Sequence, residues 1–297
     1  MVLMENDYSR MVMSKYGPML FFKYDDPIGT CLTLYGEWAE QEFDVISQLV
    51  TPTTNCIDIG SNIGTHSVWL SKKCKNGVVF SIEPQFYIFN FLTTNLMLND
   101  CLNCFPLKAF ISNVDSKFIG APIMGPSSDK YNYGEYNINL CSKINDGIPT
   151  QAIRLDDIEY MRKYDIGFIK MDCEGTETDV FTSGHNILTK NKPNLYIEHN
   201  GVNGHQSVVD ILNEYGYNCY WHVYPKHNID NHNKFNQNIY LHEHEMNLIP
   251  TVKIASRLFE SNLVCIHKDK DQGAFQDKVL YEDSIIKWLL RNNWIVE

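Results

Sequence analysis

Apolar positions change rhythm along the chain. Between residues 38 and 50, Trp38, Phe43, Ile46, Leu49 and Val50 recur at helical spacing with Glu37, Glu40 and Glu42 among them, and Pro52 marks a stop. This pattern predicts an amphipathic helix. Ahead of it lie two apolar bursts, Leu20–Tyr24 and Cys31–Tyr35, split by the turn sequence Asp25-Asp26-Pro27-Ile28-Gly29. They predict a β-hairpin over residues 19–35. From residue 54 short apolar runs alternate with helix-length segments, with strands expected near 55–59, 78–83, 104–110, 166–172, 194–199 and 217–222. The intervening helices are expected near 64–74, 85–99, 175–189 and 205–215. Alternation of this kind predicts an α/β fold, a doubly wound parallel sheet with helices on both faces. Ligands of such sheets bind beyond the carboxyl ends of the strands, and here those ends carry Asp58, Glu83, Asp172 and the pair Glu198-His199.

Two stretches depart from the rhythm. Residues 112–152 hold Gly120, Pro122, Gly125, Pro126, Gly134, Gly147 and Pro149, so they read as an inserted loop or hairpin region beside the site. Residues 226–238 are polar and of low complexity, either a lid or a long surface loop. Asp283–Arg291 reads as a last amphipathic helix. The resulting division is an N-terminal hairpin and helix cap (1–53), a cofactor-binding domain (54–270) and a C-terminal helix (271–297).

The chemistry begins at Asn55-Cys56-Ile57-Asp58-Ile59-Gly60-Ser61-Asn62-Ile63-Gly64-Thr65-His66, where an apolar run collapses into a small-residue turn that opens a helix. Such a turn presents backbone N–H groups to a small ligand. A dinucleotide fold would place a close-approach glycine in the middle of the turn; here Asn62 takes that place and would crowd a pyrophosphate. Asp58 is positioned to hold an ammonium group and Glu83 to take ribose hydroxyls. The cofactor expected is S-adenosyl-L-methionine, with Asp58, Gly60, Ser61, Asn62, Gly64 and Glu83 as its binding residues.

Four ordered segments carry a family resemblance: Ile57–Gly64, Glu83-Pro84, Arg154-Leu155-Asp156-Asp157-Ile158 and Ile169-Lys170-Met171-Asp172-Cys173-Glu174-Gly175-Thr176-Glu177. They resemble the I-D-x-G-A-N-x-G, E-P, L-D-D and I-K-x-D-x-E-G-x-E signatures of the FkbM family of methyltransferases, over about residues 36–200. Ser61 stands where the family has alanine, and Tyr220-Trp221-His222 with Ser261–Ile266 resemble the tail of some members. The resemblance implies a Rossmann-like class I methyltransferase acting on hydroxyl groups of sugars, polyketides or related small molecules. An NAD-type oxidoreductase and a non-catalytic cofactor-binding module are the alternatives.

Methyl transfer to a hydroxyl gains from a base. Asp172 is expected nearest the reacting centre, as base or orienting group, with Glu174 assisting and His199 an alternative base. Lys170 points to the same side as Asp172 and would weaken it as a base. Asp172, Glu198 and His199 also make a conceivable metal set, but no metal is expected. Asp156 or Asp157 is expected to cap a helix at 157–164. His66 reads as close to the cofactor or on the helix surface, Cys101 and Cys104 as structural, and the histidines at 222, 227, 232, 242 and 244 as solvated loop residues.

Composition narrows the setting. With 297 residues, 44% of them hydrophobic, the chain can bury a core without staples. Nine scattered cysteines suggest a reducing compartment, and the N-terminus lacks a basic stretch followed by an apolar run, so a cytoplasmic protein is expected. No apolar run reaches the ~20 residues of a membrane helix. A net charge of −11 without a basic patch argues against nucleic acid. The partner expected is a small-molecule or carbohydrate acceptor, and the aromatic hairpin offers either a cap over the site or the surface of a homodimer.

Overall fold

The computed structural model describes residues 1–114, 118–122, 131–133, 147–173, 175–198, 206–240, 258–273 and 275. Three antiparallel strands open the chain, β1 (Val2–Glu5), β2 (Ser9–Ser14) and β3 (Gly17–Phe22), followed by helices α1 (Ile28–Leu34) and α2 (Glu40–Leu49). An N-terminal hairpin is thus present, but it sits earlier than predicted. The first burst supplies β3, which pairs back with β2, whereas the second, Cys31–Tyr35, is largely helical in α1. Ile28, Cys31 and Leu32 are buried at i, i+3 and i+4. The Asp25 carboxylate accepts the Gly29 N–H at 2.7 Å and its carbonyl the Thr30 N–H at 3.1 Å, which starts a helical turn where a strand was expected. A short apolar run has no period of its own, so its flanks decide.

The alternating part follows as β4 (Asn55–Ile59), α3 (Thr65–Lys73), β5 (Val79–Ile82), α4 (Phe86–Leu98) and β6 (Cys104–Leu107). It continues through β7 (Phe110–Ile111), β8 (Phe118–Pro122), β9 (Gly147–Ile153), β10 (Ile166–Met171), α5 (Glu177–Ser183), β11 (Asn194–Glu198), α6 (Gln206–Glu214), β12 (Tyr217–Pro225) and β13 (Phe259–His267). Seven strands form the central sheet in the order β12-β13-β11-β10-β4-β5-β6. The β4, β5, β6, β10 and β11 neighbours are parallel, and β13 runs antiparallel to β11 and β12. This is the doubly wound, Rossmann-like α/β sheet expected from the sequence. Strand order reverses between β4 and β10, the place where such sheets open a crevice.

Strand periodicity divides the core. Ile57 and Ile59 of β4, Ile169 and Met171 of β10, and Leu195 and Ile197 of β11 pack on one face with α5 and α6 residues such as Val180 and Leu212. Cys56, Phe168 and Tyr196 face the other way, against Val68 of α3, Ile46 of α2 and the N-terminal strands. Phe43 stacks on Trp69 at 4.7 Å between centroids, docking α2 on α3; such pairs add ~0.5–1.5 kcal/mol beyond burial.

Other differences are local. The helix expected at 157–164 is two 3₁₀ turns, Leu155–Asp157 and Glu159–Met161, parted by Ile158 in extended conformation. Asp156 caps elsewhere, accepting the N–H groups of Asn186 (2.8 Å) and Ile187 (3.2 Å). The helix expected over 175–189 ends at Ser183 and resumes as a π-helical turn, Ile187–Asn191. In the 112–152 region β8 pairs antiparallel with β9, and β7 parallel with it. Residues 226–238 are a tied surface segment: Glu37 accepts from Asn228 Nδ2 (2.6 Å) and the His232 N–H (2.8 Å), and the Tyr35 carbonyl accepts the Asn233 N–H (2.9 Å). The helix expected at 283–291 lies outside the described residues. Among the described residues no helix is long and apolar enough to cross a membrane.

Candidate active site

The alternation that buries Cys56, Phe168 and Tyr196 on one face puts Asp58, Lys170 and Glu198 on that same face, because side chains two apart along a strand share a side. Asp58 is paired in register with Lys170, and Lys170 with Tyr196. Two clefts open at the strand ends beside this row, and Asp172 lines both.

The first cleft, of about 580 Å³, is lined by Gly60, Asn62, Glu83, Gln85, Phe110, Ile111, Thr176 and Val180 among others. Gly60 has φ +74°, and a Cβ there would stand 1.8 Å from the Asp172 carbonyl oxygen; this glycine lets β4 and β10 end side by side. Asn62 adopts φ +49°, which asparagine tolerates better than most residues. Its N–H donates to Glu83 Oε2 at 3.0 Å, and the Gln85 N–H donates to Glu83 Oε1 at 2.8 Å. The Glu83 carboxyl therefore ties the glycine turn to the end of β5. This lining fits the expected cofactor: the Glu83 carboxyl for ribose hydroxyls, and apolar side chains such as Phe110, Ile111 and Val180 for a base.

Burial pushes the Glu83 carboxyl up from 4.5 to about 7, against the two N–H donors that pull it down. Raised in the folded state, it contributes stability that is complete below 4.5 and is lost as pH climbs toward 7. In Glu83→Gln, denaturant midpoints across this window should lose that fall, worth about 3 kcal/mol at most. An unchanged pH slope would refute the shift.

The second cleft, of about 710 Å³, is lined by Tyr35, Glu37, Trp38, Glu40 and Glu42 from the N-terminal unit, by His66, Lys170, Tyr196 and Glu198, and by Tyr224, Lys226, Glu260 and Asn262. Glu42 is the centre of a hydrogen-bonded group in this lining. Glu42 Oε2 lies 2.8 Å from His66 Nε2; Glu42 Oε1 accepts from Tyr224 Oη and from Asn262 Nδ2 (3.2 Å). Burial works against the Glu42 carboxylate, but His66 and these donors hold it below its ordinary range. Glu260 pairs with Lys226 at 2.8 Å.

Lys170 joins the clefts. Its Nζ lies 3.5 Å from Asp172 Oδ2, 3.9 Å from Asp58 Oδ1 and 3.4 Å from the Gly60 carbonyl. Burial alone would pull this ammonium down, yet Asp172, Asp58, Glu42 and Glu198 hold it above the ordinary lysine range. Lys170 in turn keeps Asp172 below the ordinary carboxylate range against desolvation, whereas desolvation and the neighbouring Asp172 carboxylate push Glu198 well up.

Of the residues expected from sequence, Gly60, Asn62, Glu83 and Asp172 converge on the first cleft. Asp58 does not reach it. Its side chain is fully buried, with Oδ2 accepting from Ser67 Oγ at 2.6 Å and Oδ1 facing Lys170, so it supports the site from behind. Ser61 is buried and donates to the Asp58 carbonyl at 2.7 Å; Gly64, at φ +92°, opens α3. Glu174 and His199 lie outside the described residues, as do His242 and His244. His66 is neither beside the first cleft nor on the surface; it is buried in the wall of the second. His222 stands on β12, 2.8 Å from Tyr196 Oη, and His227 lies 3.0 Å from Tyr35 Oη. Among the described residues no group of three His, Cys, Asp or Glu side chains is arranged to hold a metal.

The second cleft was not foreseen. One signal for it is present in the sequence: Glu42 falls three and four residues before Val45 and Ile46, within the apolar stripe of α2. A charged residue in such a stripe needs a buried partner, which here is His66.

No curated protein matches the chain at a significant level. Among solved structures the chain is similar to methyltransferase FkbM from Methylobacillus flagellatus KT, at 15% identity and a TM-score of 0.42, over 72% of this chain and 44% of that one. It is also similar to precorrin-6y C5,15-methyltransferase from Geobacter metallireducens GS-15, at 14% identity and TM-score 0.42 over 77% and 88% of the two chains. A third, a SAM-dependent methyltransferase from Aquifex aeolicus, shares 13% identity at TM-score 0.39 over 82% and 95%. The family model described as the methyltransferase FkbM domain matches residues 58–219, more than half of the sequence. The chain belongs to the FkbM family of methyltransferases, and its cofactor is S-adenosyl-L-methionine.

Proposed function

We propose that the protein methylates a hydroxyl group of a sugar or other small molecule, with donor and acceptor in the first and second clefts. The observation that carries this reading is the position of Asp172, the acid shared by both linings. Gly60, Asn62 and Glu83 are the residues that would hold S-adenosyl-L-methionine, which supplies an electrophilic methyl carbon when bound. Asp172, flanked by Lys170 and Glu198, orients the acceptor hydroxyl and favours loss of its proton. Tyr35, Trp38 and the α2 acids wall the acceptor space, so the N-terminal unit serves as its cap. Among the described residues carboxyl groups outnumber the two lysines of this lining and no arginine joins them, which disfavours a polyanion such as nucleic acid. The described cysteines are free and mostly buried, in keeping with the cytoplasm.

A panel of sugars and other small hydroxylated compounds, incubated with labelled methyl donor and read by mass, tests the reading. Asp172→Asn should bind S-adenosylhomocysteine with unchanged affinity and transfer methyl roughly 10²-fold more slowly, the lower part of the range for a lost base because Glu198 remains. Full activity in this variant would refute the role of Asp172.

A further inference from the structure

Lys170 stands opposite Tyr196 and Met171 opposite Ile197 in parallel register, which brings Asp172 beside Glu198 where β10 and β11 end. Both side chains line the second cleft, at neighbouring strand ends. Two like charges placed side by side disfavour ionising together, so the pair holds one proton. Lys170, 3.5 Å from Asp172 Oδ2, decides where it sits: Asp172 keeps the charge and Glu198 carries the proton. The surroundings reinforce this. Glu260 on β13 adds negative charge on the Glu198 side, partly offset by Lys226 of β12. On the other side lie the Glu42–His66 pair from α2 and α3, Asp58 of β4, and Glu83 at the end of β5 across the first cleft. Asp172 also lines that first cleft, so a cation seated there acts on the pair directly.

We propose that seating the positively charged methyl donor in the first cleft expels the shared proton from the Asp172–Glu198 pair, which then accepts the hydroxyl proton only when a methyl group is available. The proposal rests on the assignment of the first cleft to the donor. A positive charge within ~4–6 Å favours the ionised form of a carboxyl group. The balance closes: on donor binding the pair passes from one proton to none and the proton leaves to solvent. In the transfer the acceptor oxygen forms a bond to the methyl carbon, the carbon–sulfur bond breaks with its electron pair kept by sulfur, and Glu198 takes the hydroxyl proton. The pair is then singly protonated beside an uncharged thioether, as it began.

The donor and its demethylated product differ by one methyl group and one charge, so comparing them isolates the effect without any acceptor. Calorimetric titration of the full chain with S-adenosylmethionine and with S-adenosylhomocysteine, each in phosphate and in Tris between about pH 6 and 9, counts the protons exchanged. The expected result is a release approaching one proton per site more for the sulfonium ligand. In Glu198→Gln, a close mimic of the protonated side chain, both ligands should still bind and the difference should vanish; Asp172→Asn gives the same readout should the first variant misfold. Equal proton counts for both ligands in the unmodified protein would overturn the proposal while leaving the donor site intact, and so would a difference that survives in Glu198→Gln. Absence of binding by either ligand would overturn the donor site itself.

Discussion

Replacing Lys170 with methionine is expected to lower the melting temperature by about 10 °C, although the residue is 5% exposed and methionine fits such a space well. The reason is charge. Asp58 is wholly buried, its Oδ1 has no hydrogen-bond partner among the described residues, and the Lys170 ammonium 3.9 Å away is the cation that offsets it. The same ammonium lies 3.5 Å from Asp172. Removing one member of a buried pair costs ~3–5 kcal/mol, because the remaining charge has lost water without gaining a counter-ion. A second change, Asp58→Asn, should recover part of the loss by removing the stranded charge. Sign supports the same test: Lys170 is what holds the Asp172 carboxyl down, and without it desolvation raises that carboxyl above its unfolded value, so its contribution is present at low pH and disappears as pH rises through the raised value. The variant should therefore lie closest to the parent in acid. A melting temperature within about 2 °C of the parent at pH 8 would show that Lys170 is not the charge that holds this centre together.

How far the sequence revealed this centre depended on whether a partner was near in the chain. Gly60, Asn62 and Glu83 were legible because a strand end, a glycine turn and the next strand end are short-range features with a fixed order. Asp172 was legible for the same reason. Asp58 was legible as an acid at a strand end but not in its role, since the Ser67 hydroxyl that binds it depends on how α3 docks and its cation comes from β10. The second cleft gathers Glu37 and Glu42 with Tyr224, Glu260 and Asn262 from the far edge of the sheet, a juxtaposition no local pattern encodes. At fold level the parallel sheet was plain because its strands are near-continuous apolar runs, buried on both faces. The boundary of the N-terminal hairpin was not, because Cys31–Tyr35 suits strand or helix and the Asp25 turn settled the matter. Likewise Asp156 looked like the cap of its own helix and proved to cap a segment 30 residues later.

Gly60→Ala should be the most damaging single change in the glycine turn, destabilising the protein by about 4 kcal/mol and weakening S-adenosylhomocysteine binding more than 10-fold. Two costs combine. At φ +74° an alanine is strained whatever surrounds it, and its Cβ would meet the Asp172 carbonyl oxygen at 1.8 Å, backbone that cannot rotate away. Relief requires parting the ends of β4 and β10, and the groups on either side of that gap are Asn62, which leans on Glu83, and Asp172, which lines both clefts. Stability and binding should therefore fall together. Gly64→Ala is the control within the same turn: at φ +92° it carries similar backbone strain, but its Cβ would meet Leu92 Cδ1 at 2.7 Å, the tip of a side chain that can shift. Its cost should stay near ~1–2 kcal/mol, with donor affinity largely kept. Chemical denaturation and calorimetry on the two variants make the comparison. Equal losses would mean that backbone strain alone sets the cost; a stable Gly60→Ala that still binds would mean that β4 and β10 do not end in contact.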